Sequence, residues 1–160
     1  MKKCEKIFCR YKKYIYLCAV EVKQLSLRYR GDNIGRNVME AYNYEEAVKN
    51  DVRSWIEDNV KLSEWEGDRE GLEEYLNDEL FVDDSVTGNG SGSYTFNTWK
   101  AEENICHNME LLGEACEEFG DDSAQILKKG AEVCDVTIRC YLLGPAIAAV
   151  LDELEEEGRI

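Results

Sequence analysis

The chain has 160 residues, 44% of them hydrophobic and 33% charged. That balance suits an ordinary globular core and excludes collagen-like, mucin-like and wholly disordered chains. Charge is the outlying quantity: 19 Lys+Arg stand against 34 Asp+Glu, a net of -15, beyond the magnitude of about 2 to 8 that suffices to keep a small domain soluble.

In chain order, residues 1–43 read as a basic arm. Residues 1–30 carry nine basic and two acidic side chains and the rest of the chain ten and thirty-two, so a lead of +7 precedes a body of -22. Ile15, Leu17 and Ala19, then Leu25, Leu27 and Tyr29, alternate along the arm and predict one or two short strands. The same composition also suits an extension that folds against the acidic body. Lys6, Arg10, Lys12 and Lys13 interrupt any apolar stretch and no small-residue cleavage pattern follows, so no signal peptide is expected and the chain is placed in the cytoplasm.

At Asn43 the apolar period becomes helical. Asn43 with Glu46 predicts a capped start, and Ala47, Val48, Val52, Trp55, Ile56, Val60 and Leu62 trace one apolar face. Gly67 and Asp68 then separate a second helix, built on Leu72, Tyr75, Leu76 and Leu80. The segment Val82 to Phe96 reads as a Gly/Ser-rich loop or short β-hairpin. Thr98 opens a helix predicted to reach Gly120, with Ile105, Met109, Leu112, Cys116 and Phe119 as a packing seam. Asp122 and Gln125 cap a further helix through Ile126, Val133, Ile138 and Tyr141; Gly144-Pro145 punctuates, and Ile147 to Leu154 make a last one. The expected fold is mostly α: a bundle of about five helices in an acidic domain, residues 44–160, behind the basic arm. The longest apolar run, Tyr141 to Leu151, holds that Gly-Pro pair and falls short of the roughly 20 residues a membrane span needs, so no span is predicted.

Catalytic chemistry finds little purchase. Seven cysteines, Cys4, Cys9, Cys18, Cys106, Cys116, Cys134 and Cys140, are an odd number without C-x2-C pairs, which favours core filling over zinc or disulfides. His107 follows Cys106 directly, and neighbours on a helix point about 100° apart rather than at each other. Gly88-Asn89-Gly90-Ser91-Gly92 has the glycines of a phosphate loop but neither G-x-G-x-x-G nor G-K-[ST]. Asp83, Ser85, Thr87 and Gly88 match the first positions of a calcium loop, yet Tyr94 stands where a bidentate Glu is required. No catalytic residue, metal or cofactor is assigned. Trp55, Trp65 and Trp99 fall on or beside apolar faces and read as core or interface anchors.

The stretch Asp83 to Glu103, with Cys106-His107-Asn108 and the Cys134 to Tyr141 segment, resembles small acidic proteins carried by phages and conjugative elements of gut Firmicutes. The likeness spans about Tyr44 to Glu157 and leaves out the basic arm. It implies a mobile element in a bacterial cytoplasm, a setting in which proteins that disarm host defences are frequent.

In that setting the acidic body has a physical use. DNA spaces one phosphate about every 3.4 Å along a strand, and helix positions three and four apart lie about 5 to 6 Å from each other. An acidic helix can therefore occupy a groove shaped for nucleic acid, in the manner of anti-restriction and some anti-CRISPR proteins, to which the likeness is by charge only. The expected partner is a basic nucleic-acid-binding surface of a host defence protein, a Cas nuclease among the candidates. Glu64, Glu66, Glu70, Glu73, Glu74, Asp78 and Glu79 form the expected contact face. Such a body repels nucleic acid itself, and no membrane partner is expected. Two alternatives stand beside this reading: a small-ligand protein or enzyme using Asp83, Asn89, Ser91, Ser93 and Tyr94, and a helical adaptor assembling through the Ile105 to Phe119 seam.

Overall fold

A computed structural model describes residues 42–90 and 98–160. Residues 1–41, with the arm's expected strands, lie outside the described residues, as do Ser91, Ser93, Tyr94 and the second half of the expected hairpin, whereas residues 82–90 form turns and loop with no strand. Where the chain is described it is helical, and the mostly-α reading holds. The helices are α1 (Tyr44–Asn59), α2 (Arg69–Phe81), α3 (Thr98–His107), α4 (Met109–Phe119), α5 (Ser123–Lys129) and α6 (Ala131–Glu156), with a 3-10 turn at Leu62–Glu64.

The starts are set by side chains that accept the orphan N–H groups of a first turn. The carboxamide of Asn43 accepts from the Glu46 amide at 3.2 Å, Asp68 from Gly71 at 3.1 Å and Asp122 from Ala124 at 2.9 Å. The end of α4 is equally local: Gly120 adopts φ +70°, and Asp121 N–H reaches back to Cys116 O at 2.8 Å. A residue with a Cβ enters that left-handed region at a cost, so the glycine sets the stop.

Three boundaries depart from the sequence reading, the first at Gly130, whose φ of +114° divides the helix expected from Asp122 through Tyr141 into α5 and α6. The helix expected from Thr98 to Gly120 divides at Asn108. Its side-chain amide donates to Asn104 O at 2.8 Å, the carbonyl its own N–H would take in a continuous helix, and lies 3.1 Å from Tyr42 O. A local side-chain bond has replaced a rung of the ladder and ties the break to the entry of α1. Conversely, the break expected at Gly144-Pro145 does not occur, and α6 runs 26 residues with Pro145 inside it. A proline in a helix interior costs about 3 kcal/mol. Here Leu142, Leu143, Ala146 and Ile147 on either side are buried while Pro145 faces solvent, and the burial of four such side chains outweighs that cost.

The continuous α6 is the axis of the bundle, and each of the other five helices packs on it. From Cys134 through Ile138, Leu142, Ile147, Val150 and Leu154 it presents buried residues at steps of three to five, against Val48, Val52 and Ile56 of α1 and Leu72, Leu76 and Leu80 of α2 in one apolar cluster. By length and composition α6 also meets the requirement for a membrane span, which the sequence reading denied: one window has a mean hydropathy of 1.5. Over half of that window, 56%, is buried within the bundle, so the apolar side chains are largely spent on the core.

Candidate functional site

The acidic face is built by α2. Leu72, Leu76 and Leu80 occupy one side and are fully buried. At 100° per residue, Glu70, Glu74 and Asp78 fall on the opposite side as a ridge with four-residue spacing, and all three are exposed. Glu79 is exposed on one flank, and Glu73 is half-buried on the other. Glu64 and Glu66, exposed on the turn before α2, extend the row.

Among the described residues, the cations that form ion pairs across the bundle are drawn elsewhere. Lys49 and Arg53 of α1 reach Glu153 at 2.9 Å each, and Arg53 also reaches Glu157 at 2.7 Å. Hydrogen bonds from Lys49 and Arg53 hold the Glu153 carboxyl below the usual carboxylate range, and one from Arg53 does the same for Glu157. Arg69, the cation expected to oppose the α2 carboxylates, turns to α6 and binds Asp152 at 2.6 Å and Glu155 at 2.5 Å. Arg159 lies 3.4 Å from Glu57. Among the described residues no ion pair reaches Glu66, Glu70, Glu73, Glu74, Asp78 or Glu79, while Glu64 has a 3.4 Å contact with exposed Lys61. Asp152, Glu153, Glu155 and Glu157 are thus paired internally, and the α2 carboxylates have no ion pair among the described residues.

The loop after α2 spends its polar groups on itself. The Asp83 carboxylate accepts from the Ser85 amide at 2.8 Å, the Ser85 hydroxyl at 2.5 Å, the Val86 amide at 3.2 Å and the Trp55 indole at 3.1 Å. Burial opposes its charge, yet these donors together lower its pKa. Thr87 is fully buried with its hydroxyl 3.1 to 3.2 Å from the carbonyl oxygens of Leu80, Phe81 and Asp83, closing the end of α2. The Asn89 side chain donates to Phe81 O at 3.1 Å. Of the described members of the alternative ligand set, Asp83 therefore closes the turn that follows it and binds Trp55, and Asn89 caps the end of α2. Trp55 is likewise an anchor, half-buried between α1 and this loop.

One constellation escaped the sequence reading. Arg139, in the middle of α6 and buried, donates to Asp135 at 3.1 Å, Asp51 at 2.8 Å, Val86 O at 2.9 Å and the Tyr42 hydroxyl at 3.2 Å. Asp135, also buried, accepts from the Tyr44 hydroxyl at 2.5 Å. Burial pushes both tyrosine hydroxyls up in pKa, and the contact with Asp135 adds to the rise at Tyr44. The cation thereby joins α1, α6 and the loop after α2, three parts of the chain brought together around one guanidinium. The signal was present: Asp135 and Arg139 are an i, i+4 pair of opposite charges inside an otherwise apolar stretch.

The seam offered to an adaptor is mostly occupied by the chain itself. Ile105, Leu112 and Cys116 are buried in the bundle, whereas Phe119 keeps 45% of its surface exposed. His107 Nδ1 lies 2.9 Å from Glu103 O of its own helix, and Cys106 is exposed beside it. Comparison with known proteins returns no matching family model, no similar curated protein and no similar solved structure.

Proposed function

We propose that this protein is a non-enzymatic inhibitor carried by a bacterial mobile element, acting in the cytoplasm by covering a basic nucleic-acid-binding surface of a host defence nuclease. The observation that carries the reading is the partition of charge. Lys49, Arg53, Arg69 and Arg159 are spent on α1 and the end of α6, and the Glu70, Glu74, Asp78 ridge with Glu66 and Glu79 is exposed and has no ion pair among the described residues. Such a surface raises encounter rates with a basic groove and competes there with phosphates. The small-ligand alternative draws less support, because the Asp83 carboxylate is engaged by its own loop and Trp55, and the Asn89 amide by the end of α2.

The test is a competition assay. An RNA-guided nuclease and a restriction enzyme are each titrated with the protein while binding to labelled target duplex is followed. Inhibition should weaken by about tenfold or more as salt rises from about 0.05 to 0.3 M, because exposed charges are screened over about a Debye length. The triple variant Glu70→Gln, Glu74→Gln, Asp78→Asn should keep its fold and lose inhibition. Inhibition that is indifferent to salt, or undiminished in the triple variant, refutes the charge-based reading.

A further inference from the structure

Beside the acidic ridge lies a groove of 390 Å3 lined by Asn59, Val60, Lys61, Glu64, Trp65 and Tyr75. Its wall is a stacked aromatic pair: the rings of Trp65 and Tyr75 lie 5.4 Å apart at 27°. Trp65 is half-buried against the core, but Tyr75 keeps 36% of its surface exposed. Asp78 and Glu79 follow Tyr75 by three and four residues, so helical geometry sets their carboxylates beside its ring. Glu64 borders the groove from the preceding turn. Asn59 and Val60 mark the C-terminal end of α1, a 16-residue helix with no basic residue in its last turn, so the negative end of its dipole borders the groove, with Lys61 the nearest cation.

We infer that this groove receives an arginine side chain of a basic partner protein, an inference that rests on the acidic face being a docking surface. An aromatic wall with carboxylates at its rim favours a guanidinium over an ammonium. The planar guanidinium stacks on a ring with its face while the N–H groups at its edge donate to carboxylates, and a lysine head cannot do both. Lys61 is a weak occupant: its 3.4 Å contact with Glu64 joins side chains 81% and 67% exposed, a pair that a better donor displaces. A purely apolar ligand fits poorly, because Glu64 and the α1 terminus would lose solvent without a partner. If the stacked rings merely cover the core beneath them, the groove has no preference between the two basic side chains.

Nona-arginine and nona-lysine peptides, each fluorescently labelled, separate these cases by anisotropy titration with the full chain. Nona-arginine should bind about three- to fivefold more tightly than nona-lysine, the upper scale of an exposed cation–π contact. Tyr75→Leu keeps apolar bulk but removes the π-face, and it should bring the two affinities within about twofold while both remain sensitive to salt. Glu64→Gln, at an exposed position that folding does not need, should weaken nona-arginine more than nona-lysine. Equal affinities for the unaltered protein overturn the arginine groove and leave the acidic face standing, as does a preference that survives both substitutions. If neither peptide binds, the acidic face itself is refuted as a docking surface.

Discussion

Replacing Arg139 by methionine tests what holds the bundle's three joined parts together. The substitution keeps apolar bulk but deletes four hydrogen bonds, two of them to carboxylates, and it removes the guanidinium from the buried carboxylate of Asp135. Breaking a buried pair by removing one partner costs about 3 to 5 kcal/mol, since the remaining charge is left in a poor solvent. Native domains are stable by about 5 to 15 kcal/mol, so the loss is a large share of the whole. For a domain of this size 1 kcal/mol corresponds to about 3 to 4 °C in Tm, and the expected fall is about 10 to 20 °C by circular dichroism. The companion variant Asp135→Asn with Arg139→Met removes both charges and should recover a measurable part of the loss. A fall under about 3 °C for the single variant, or a double variant less stable than the single one, would refute the view of Arg139 as a paired, structure-bearing cation.

Three further outcomes are expected. Thr87→Val keeps the shape of a buried residue but removes the hydroxyl at the end of α2, which should cost about 1 to 3 kcal/mol in urea denaturation; no change would show that the helix end is satisfied without it. The lowered pKa values of Glu153 and Glu157 contribute stability that is present above the unfolded carboxylate value of about 4.3 and is lost as pH falls through the lowered folded values. Arg53→Gln should therefore flatten the acid side of the stability profile below about pH 4.5 and leave its alkaline side unchanged. Among the described cysteines, exposed Cys106 should react first with iodoacetamide in native protein at neutral pH. Cys116 and Cys134 should react only on unfolding, since burial pushes both thiols up, Cys134 to about 11; early labelling of Cys134 by mass mapping would contradict its placement.

Much of the fold is legible in short stretches because its determinants act within about one helical turn. Asn43, Asp68 and Asp122 cap their helices with side chains two or three residues from the amide they satisfy, and Gly120 stops α4 by its own backbone freedom. The α2 carboxylates are also legible, since apolar residues at 72, 76 and 80 force Glu70, Glu74 and Asp78 outward. Periodicity fails at Asn108 and Pro145 for opposite reasons. At the first, a polar side chain competes with the ladder of an amphipathic helix; at the second, burial on both sides carries the helix through a residue that locally disfavours it.

Composition and spacing alone determine a helical, strongly acidic body with one carboxylate-rich helix. Only the folded chain decides which of those carboxylates stay unpaired. Arg69 adjoins the α2 acids in sequence yet bonds to residues more than eighty positions away, and Lys49 and Arg53 cross to α6 over about a hundred. Arg139 likewise meets Asp51 across 88 positions. Ion pairing depends on distances of a few ångströms between side chains, and separation along a chain says little about such distances until helices have packed.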